Sequence, residues 1–184
     1  MQRRLCTAIV IAAAVLSSCA RPTPYQPIRS ASSSQGGYSS ERLETNRYRV
    51  TFIGNSMTSR DTVETYLLYR AAELTRQQGY DWFEAVYRDV ENRGQVVVDR
   101  PFATGPYGWW GPSWRYYGRS GWRSWSPWDR DPFFSDRLDV RTIDRYEATA
   151  EIVMRRGDKP SANPRAFDAN DLLRTLGPRI RPPE

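Results

Sequence analysis

The chain has 184 residues, a net charge of +6 and 39% hydrophobic residues, enough for one modest domain and too little for two well-packed ones. It contains no histidine, which removes the commonest general base near neutral pH, any imidazole-based triad and every zinc site that needs a ring nitrogen. Its two cysteines, Cys6 and Cys19, are too few for an iron–sulfur centre or a cysteine metal cluster.

In chain order, the first segment reads as an export signal: Arg3 and Arg4 supply a positive start and Leu5 to Leu16 an apolar run. At 1.5 Å rise per residue that run covers only about 18 Å, against a hydrocarbon core of roughly 30 Å, so it is too short for a lasting span. Leu16-Ser17-Ser18-Cys19 follows, and here the chain resembles bacterial lipoproteins. Their lipobox has an aliphatic residue, two small residues and a cysteine. The resemblance implies cleavage between Ser18 and Cys19 and a lipid on the Cys19 sulfur. The alternative is an ordinary secretory signal with an incidental cysteine. Removing residues 1–18 takes away Arg3 and Arg4 and no acid, so the net charge falls from +6 to +4. The mature chain then holds no cysteine but the modified one, and an internal disulfide is impossible. Ala20, where an aspartate is absent, resembles lipoproteins forwarded to the outer membrane.

Residues 20–45 are rich in Ser, Pro and Gly and are expected to form a flexible stalk, spanning on the order of 25–30 Å as a coil. The folded body is expected over 46–180. Arg47 to Phe52 alternates polar and apolar residues, as a half-buried strand does. Thr58 to Asp61 fits a capping box. A helix then follows to about Gln78, with Val63, Leu67, Ala71 and Leu74 at helical spacing and Gly79 as a left-handed stop. A second strand fits Tyr80 to Val90, and Val96 to Val98 could add another after a turn. The clearest alternation sets Tyr146, Ala148, Ala150, Ile152 and Met154 against Arg145, Glu147, Thr149, Glu151 and Arg155. A short helix fits Asp168 to Leu176, ended by Gly177-Pro178. The order β-α-β-insert-β-α predicts an α+β fold: a small mixed or antiparallel sheet with helices packed on one face, preceded by a disordered stalk.

The stretches Asn46 to Phe52, Gly54-Asn55-Ser56, Ser59-Arg60, Tyr66 to Leu74 and Gly79 to Phe83 are similar to a family of small alphaproteobacterial lipoproteins of unknown function. The resemblance covers about residues 40–90 and implies a cell-envelope lipoprotein, with no reaction and no catalytic residues to carry over.

The unusual segment is Phe102 to Phe134, inside an insertion at about 100–137. It holds six of the seven tryptophans and no Leu, Ile or Val, so it is not expected to form an independent core. Trp122, Trp125 and Trp128 are three apart and would form one stripe in a polyproline-like helix. Arg115, Arg119, Arg123 and Arg130 could stack on the rings. Three readings compete: a low-complexity loop, a membrane-surface contact, and a contact for a glycan or protein partner. The partner residues would be Trp109, Trp110, Trp114, Trp122, Trp125 and Trp128. Nucleic acid is an improbable partner for an exported chain.

Carboxylate groupings are few. Glu147 and Glu151 share a strand face with Arg145 and Arg155 beside them, the ordinary pairing of a solvated sheet. Asp129, Asp131 and Asp136 do not match a calcium loop. No phosphate loop, cofactor motif or metal-ligand set is present in the sequence. The sequence therefore predicts a noncatalytic envelope lipoprotein, anchored through Cys19 at the periplasmic face of the outer membrane, acting as an interaction or structural module. The alternative is a peptidoglycan-binding module using the tryptophans.

Overall fold

A computed structural model describes residues 21–28, 36–86, 110–118, 121–125 and 145–183. These form an α+β unit in which an antiparallel sheet carries two helices on one face. The elements are β1 (Gly37–Glu44), β2 (Arg47–Ile53), α1 (Arg60–Gln77), β3 (Trp82–Val86), β4 (Ser113–Gly118), β5 (Gly121–Trp125), β6 (Arg145–Arg155), β7 (Ala166–Asp168) and α2 (Ala169–Leu176). A 3-10 turn over Gly177–Arg179 closes α2.

The eleven-residue β6 is the centre of the sheet. One edge pairs with β2, from Arg47 opposite Val153 to Ile53 opposite Glu147. The other edge is shared: β3 pairs with residues 151–155 and β4 with residues 145–149, both antiparallel. β3 and β4 therefore lie end to end along one line. β1 extends the sheet beyond β2, β7 beyond β3, and β5 beyond β4.

Period-two alternation puts Tyr48, Val50 and Phe52 of β2 on the same face as Ala148, Ala150, Ile152 and Met154 of β6. Volumes compensate along the rows across the sheet. Ala148 lies between Phe52 and Trp114, and Ile152 between Tyr48 and Ala85, while Met154 faces Phe83. Large beside small is what lets rings from neighbouring strands fit under the helices. α1 covers this face with Val63, Leu67, Leu68, Ala71 and Ala72, all fully buried, and α2 packs beside it with Ala169 and Leu176.

The helix ends follow from local chemistry. The cap of α1 is Ser59, whose hydroxyl accepts from the Thr62 amide at 3.1 Å. It is not Thr58, as the capping-box reading had it, because the Thr58 hydroxyl is taken up by the neighbouring loop and the N-terminal segment. Gly79 has the left-handed φ of +76° expected of the stop. In α2, Asp168 caps by accepting from the Asp171 amide at 2.8 Å.

Several expectations are corrected. The strand expected over Tyr80 to Val90 is observed over Trp82–Val86, and residues 87–90 and Val96 to Val98 lie outside the described residues. The insertion expected at about 100–137 contributes the β4–β5 hairpin to the sheet. The largest correction concerns the stalk expected over 19–45 and the body expected to begin at 46. Residues 37–44 form β1, and residues 21–28 pack on the domain. Gly36, with φ +74°, makes that approach possible: a Cβ there would lie 2.2 Å from the Ile53 carbonyl oxygen. Tyr25 enters a ring cluster, 4.7 Å from Tyr38, 5.7 Å from Tyr66 and 5.2 Å from Tyr69 between centroids. Its hydroxyl donates to Glu73 at 2.7 Å, and burial followed by that carboxylate holds the phenol well above its ordinary pKa.

Tyr25→Ala is expected to cost about 2–3 kcal/mol in urea denaturation, the range for deleting a partly buried ring. A residue in a solvated stalk would cost nothing measurable.

Candidate functional site

The first candidate region is the place where the chain enters the fold. After β2, residues 54–59 make a compact loop. Asn55 Oδ1 accepts from the Met57 amide at 3.0 Å and from the Thr58 hydroxyl at 2.8 Å. The N-terminal segment is tied to this loop at three points. The Arg21 carbonyl accepts from Asn55 Nδ2 at 2.7 Å, the Thr23 amide donates to Thr58 Oγ1 at 2.8 Å, and the Thr23 hydroxyl accepts from the Asn55 amide at 2.8 Å. Thr23 is 1% exposed. The C-terminal segment joins the same region: the Tyr25 amide donates to the Arg181 carbonyl at 2.8 Å, and the Arg181 amide donates to the Tyr66 hydroxyl at 3.1 Å. Ser18 and Cys19, the expected cleavage and lipid positions, lie outside the described residues.

The tryptophans divide differently from the sequence expectation. Trp110 and Trp114 are 3% and 2% exposed and belong to the core, so neither offers a face to a partner. Trp110 packs edge-on against Phe83 and Phe167, at 6.2 and 5.9 Å between centroids. Trp114 packs edge-on against Tyr146 at 6.3 Å. A segment without Leu, Ile or Val still contributes to the core because these rings fill the space beside Ala148 and Phe83. Positions 122 and 125 lie on β5 opposite Tyr117 and Trp114. Three residues apart on a strand are on opposite faces, so these two positions do not share the polyproline stripe. Trp109 and Trp128 lie outside the described residues.

Beside Trp114 is the second candidate region. Arg60, in the first turn of α1, stacks over the Trp114 ring at 5.0 Å from its centroid. The cation on this ring comes from the helix; Arg115 of the insertion reaches Glu147 at 3.3 Å, and Arg119 and Arg130 lie outside the described residues. One turn after Arg60 is Glu64, half-buried. Burial pushes its carboxyl up to about 7; Arg60 pulls against that and Asp61 adds to it. Burial also raises the Tyr146 phenol, again opposed by Arg60. Nothing in the sequence pattern marks Glu64, because position 64 falls on the polar flank of the helix and its burial appears only in the folded chain.

The third region is the sheet face away from the helices, where Glu151 is 8% exposed. Its two oxygens each accept from an arginine of β2, Oε2 from Arg47 and Oε1 from Arg49, both at 2.8 Å. These bonds to Glu151 hold both guanidinium groups above their ordinary pKa. Arg49 also reaches Glu41 at 2.9 Å and Arg47 reaches Glu44 at 3.3 Å, while Thr51 and Thr149 share a hydroxyl bond at 3.0 Å. The pairing is across strands, as the sequence predicts, but it is made with Arg47, Arg49 and Arg115 of neighbouring strands, and Glu151 is buried, not solvated. The antiparallel register sets Arg49 directly opposite Glu151. Glu147 and Glu151, four residues apart on one strand, have Cα atoms about 13–14 Å apart, and each is held by arginine. Asp129, Asp131 and Asp136 lie outside the described residues.

Among the described residues there is no group of three metal-ligating side chains and no helix long and apolar enough to cross a membrane. Comparison with protein-family models, with curated proteins and with solved structures finds no match for the chain.

Two outcomes test these assignments. Folding raises the Glu64 pKa from 4.5 to about 7, so the folded chain retains a proton that the unfolded chain releases. The Glu64 contribution to stability is fullest below about pH 4.5 and is lost as pH rises through 7. Glu64→Gln is expected to stabilise the protein by on the order of 1–3 kcal/mol at pH 8 and to change little at pH 4, read by urea denaturation at both pH values. Glu151→Ala is expected to cost about 2–4 kcal/mol, because it leaves two guanidinium groups without their shared carboxylate. Glu147→Ala, whose partner Arg115 is exposed, is expected to cost less than about 1 kcal/mol.

Proposed function

We propose that the chain is a noncatalytic lipoprotein of the bacterial cell envelope, attached by a lipid on Cys19 and acting as an interaction or structural module. The observation that carries this reading is the order of features at the N-terminus. Arg3 and Arg4 precede an apolar run too short to span, and Leu16-Ser17-Ser18-Cys19 follows it directly. Ala20 after the lipid site favours the periplasmic face of the outer membrane. The use of charge in the fold supports a noncatalytic module: Glu147 and Glu151 are held by arginines across the sheet, which is a structural use.

The glycan-binding reading loses Trp110 and Trp114 to the core and would rest on Trp109, Trp122, Trp125 and Trp128. Binding of the body to isolated cell walls, abolished by substituting those four residues, would be needed to revive it.

Cells making the full chain and fed radiolabelled palmitate are expected to label it, and Cys19→Ser is expected to remain unlabelled with residues 1–18 still attached. An unlabelled wild-type chain would refute the lipoprotein reading. Density-gradient separation of the membranes is expected to place the labelled chain with the outer membrane.

A further inference from the structure

We infer that the end of the domain formed by the β2–α1 loop and the start of β6 is a membrane-docking surface, with the Met57 side chain entering the headgroup layer of the bilayer. The inference rests on the lipid at Cys19 proposed above and adds to it an orientation and a contact surface.

The first argument is length. The Arg21 carbonyl is fixed on Asn55, and only Ala20 separates Arg21 from Cys19. Two residues of extended chain reach about 7 Å at most. A lipid on Cys19 would thus hold the β2–α1 loop within roughly one headgroup layer of the bilayer, where a 26-residue coil would have let the domain drift in any orientation.

The second argument is independent of the tether. Among the described residues, the exposed large hydrophobic side chains are Met57, 53% exposed, and Tyr117, 42% exposed. Both belong to this end of the sheet. Met57 is on the loop that follows β2, and the Gly54 amide of that loop donates to the Tyr146 carbonyl at the start of β6 at 2.9 Å. Tyr117 pairs with Arg145, the first residue of β6. An exposed apolar side chain on a loop, with an exposed tyrosine at the same end of the sheet, suits the zone where apolar and polar groups mix.

Charge is compatible and does not choose the end. Arg21, Arg145 and Arg179 lie near the entry point, with Asp61 paired to Arg179 at 2.6 Å. Arg76, Arg155, Arg156 and Lys159 lie toward the other end of β6. Either set could meet lipid phosphates. The tether and Met57 single out the first.

The test uses the mature, lipid-bearing chain in vesicles of phosphatidylethanolamine and phosphatidylglycerol. With Cys19 alkylated, a new cysteine is the sole free thiol and can carry an environment-sensitive fluorophore. Met57→Cys and, as a second variant on the same loop, Ser56→Cys report on the docking end. Thr45→Cys reports on the β1–β2 turn at the far end of the sheet. The inference expects probes at 56 and 57 to shift to the blue and to be quenched by spin-labelled lipid, while the probe at 45 stays aqueous. Lipid-bearing, vesicle-bound protein with aqueous probes at 56 and 57 would overturn the docking surface and leave the lipoprotein reading standing. Equal burial of all three probes would also overturn it. A chain whose mass shows no lipid would remove both.

Discussion

The pairing of β6 on both of its edges is the constraint from which the rest of the molecule follows. One edge meets a single strand; the other is divided between two strands set end to end. One face of β6 supplies Ala148, Ile152 and Met154 to the core, and the other supplies Glu147, Thr149 and Glu151 to the polar pairs with Arg115, Thr51, Arg47 and Arg49. A register slip of one residue would exchange these two sets. It would put carboxylates under α1 and leave Phe52 and Trp114 without the small Ala148 between them. Core packing and the charge ladder therefore enforce the same register from opposite faces.

The chain entry has a similar double determination. The Thr23 amide donates to the Thr58 hydroxyl and the Thr23 hydroxyl accepts from the Asn55 amide, and Tyr25 fills a position in the tyrosine cluster. The first is a hydrogen-bond requirement and the second a packing one, and they fix the same eight residues in place. Contact with Arg181 ties this segment to the far end of the chain, so both termini of the described fold meet near α1. A short tether and a fixed entry convert a membrane anchor, if Cys19 carries one, from a mere address into an orienting device.

What the sequence made legible was the periodic part. Strict alternation marked β2 and β6, the apolar stripe and Gly79 marked α1, and Asp168 with Gly177-Pro178 bounded α2. The class of fold followed from these. What stayed illegible depended on partners distant in sequence. β1 reads Gly-Tyr-Ser-Ser-Glu-Arg-Leu-Glu, the polar pattern of an edge strand, and its Tyr38 packs on the Tyr25 ring, which arrives from the N-terminal segment, and under the Arg70 guanidinium of α1. Arg-Pro-Thr-Pro-Tyr has the composition of a linker, and only the Asn55–Thr58 loop gives its threonine a reason to be buried. The tryptophans misled in the opposite direction: rings without aliphatic neighbours looked like a surface for a partner, while Trp110 and Trp114 complete the core. Of the candidate surfaces, Met57 had no signal at all, since a lone methionine in a polar loop matches the pattern of any turn.

The end-to-end placement of β3 and β4 carries a consequence for where variation can be accommodated. β3 leaves the sheet at Val86, opposite Glu151, and β4 re-enters at Ser113, opposite Thr149. Those two positions on β6 are about 7 Å apart along the strand. Twenty-six residues, 87–112, are thus interposed in what would otherwise be one continuous strand. Closing a longer or shorter excursion between the same two points changes the free energy by only about 0.6 kcal/mol per doubling of length. Among the described residues of the excursion, Trp110 and Pro112 at its end are buried. The re-entry point is where the returning chain meets the core. There the rings of Trp110 and, just inside β4, Trp114 lock the returning chain between Phe83, Phe167 and Tyr146. The tryptophans nearest the re-entry serve to seat β4 on β6, and it is this seating that brings Tyr117 to the same end of the molecule as Met57.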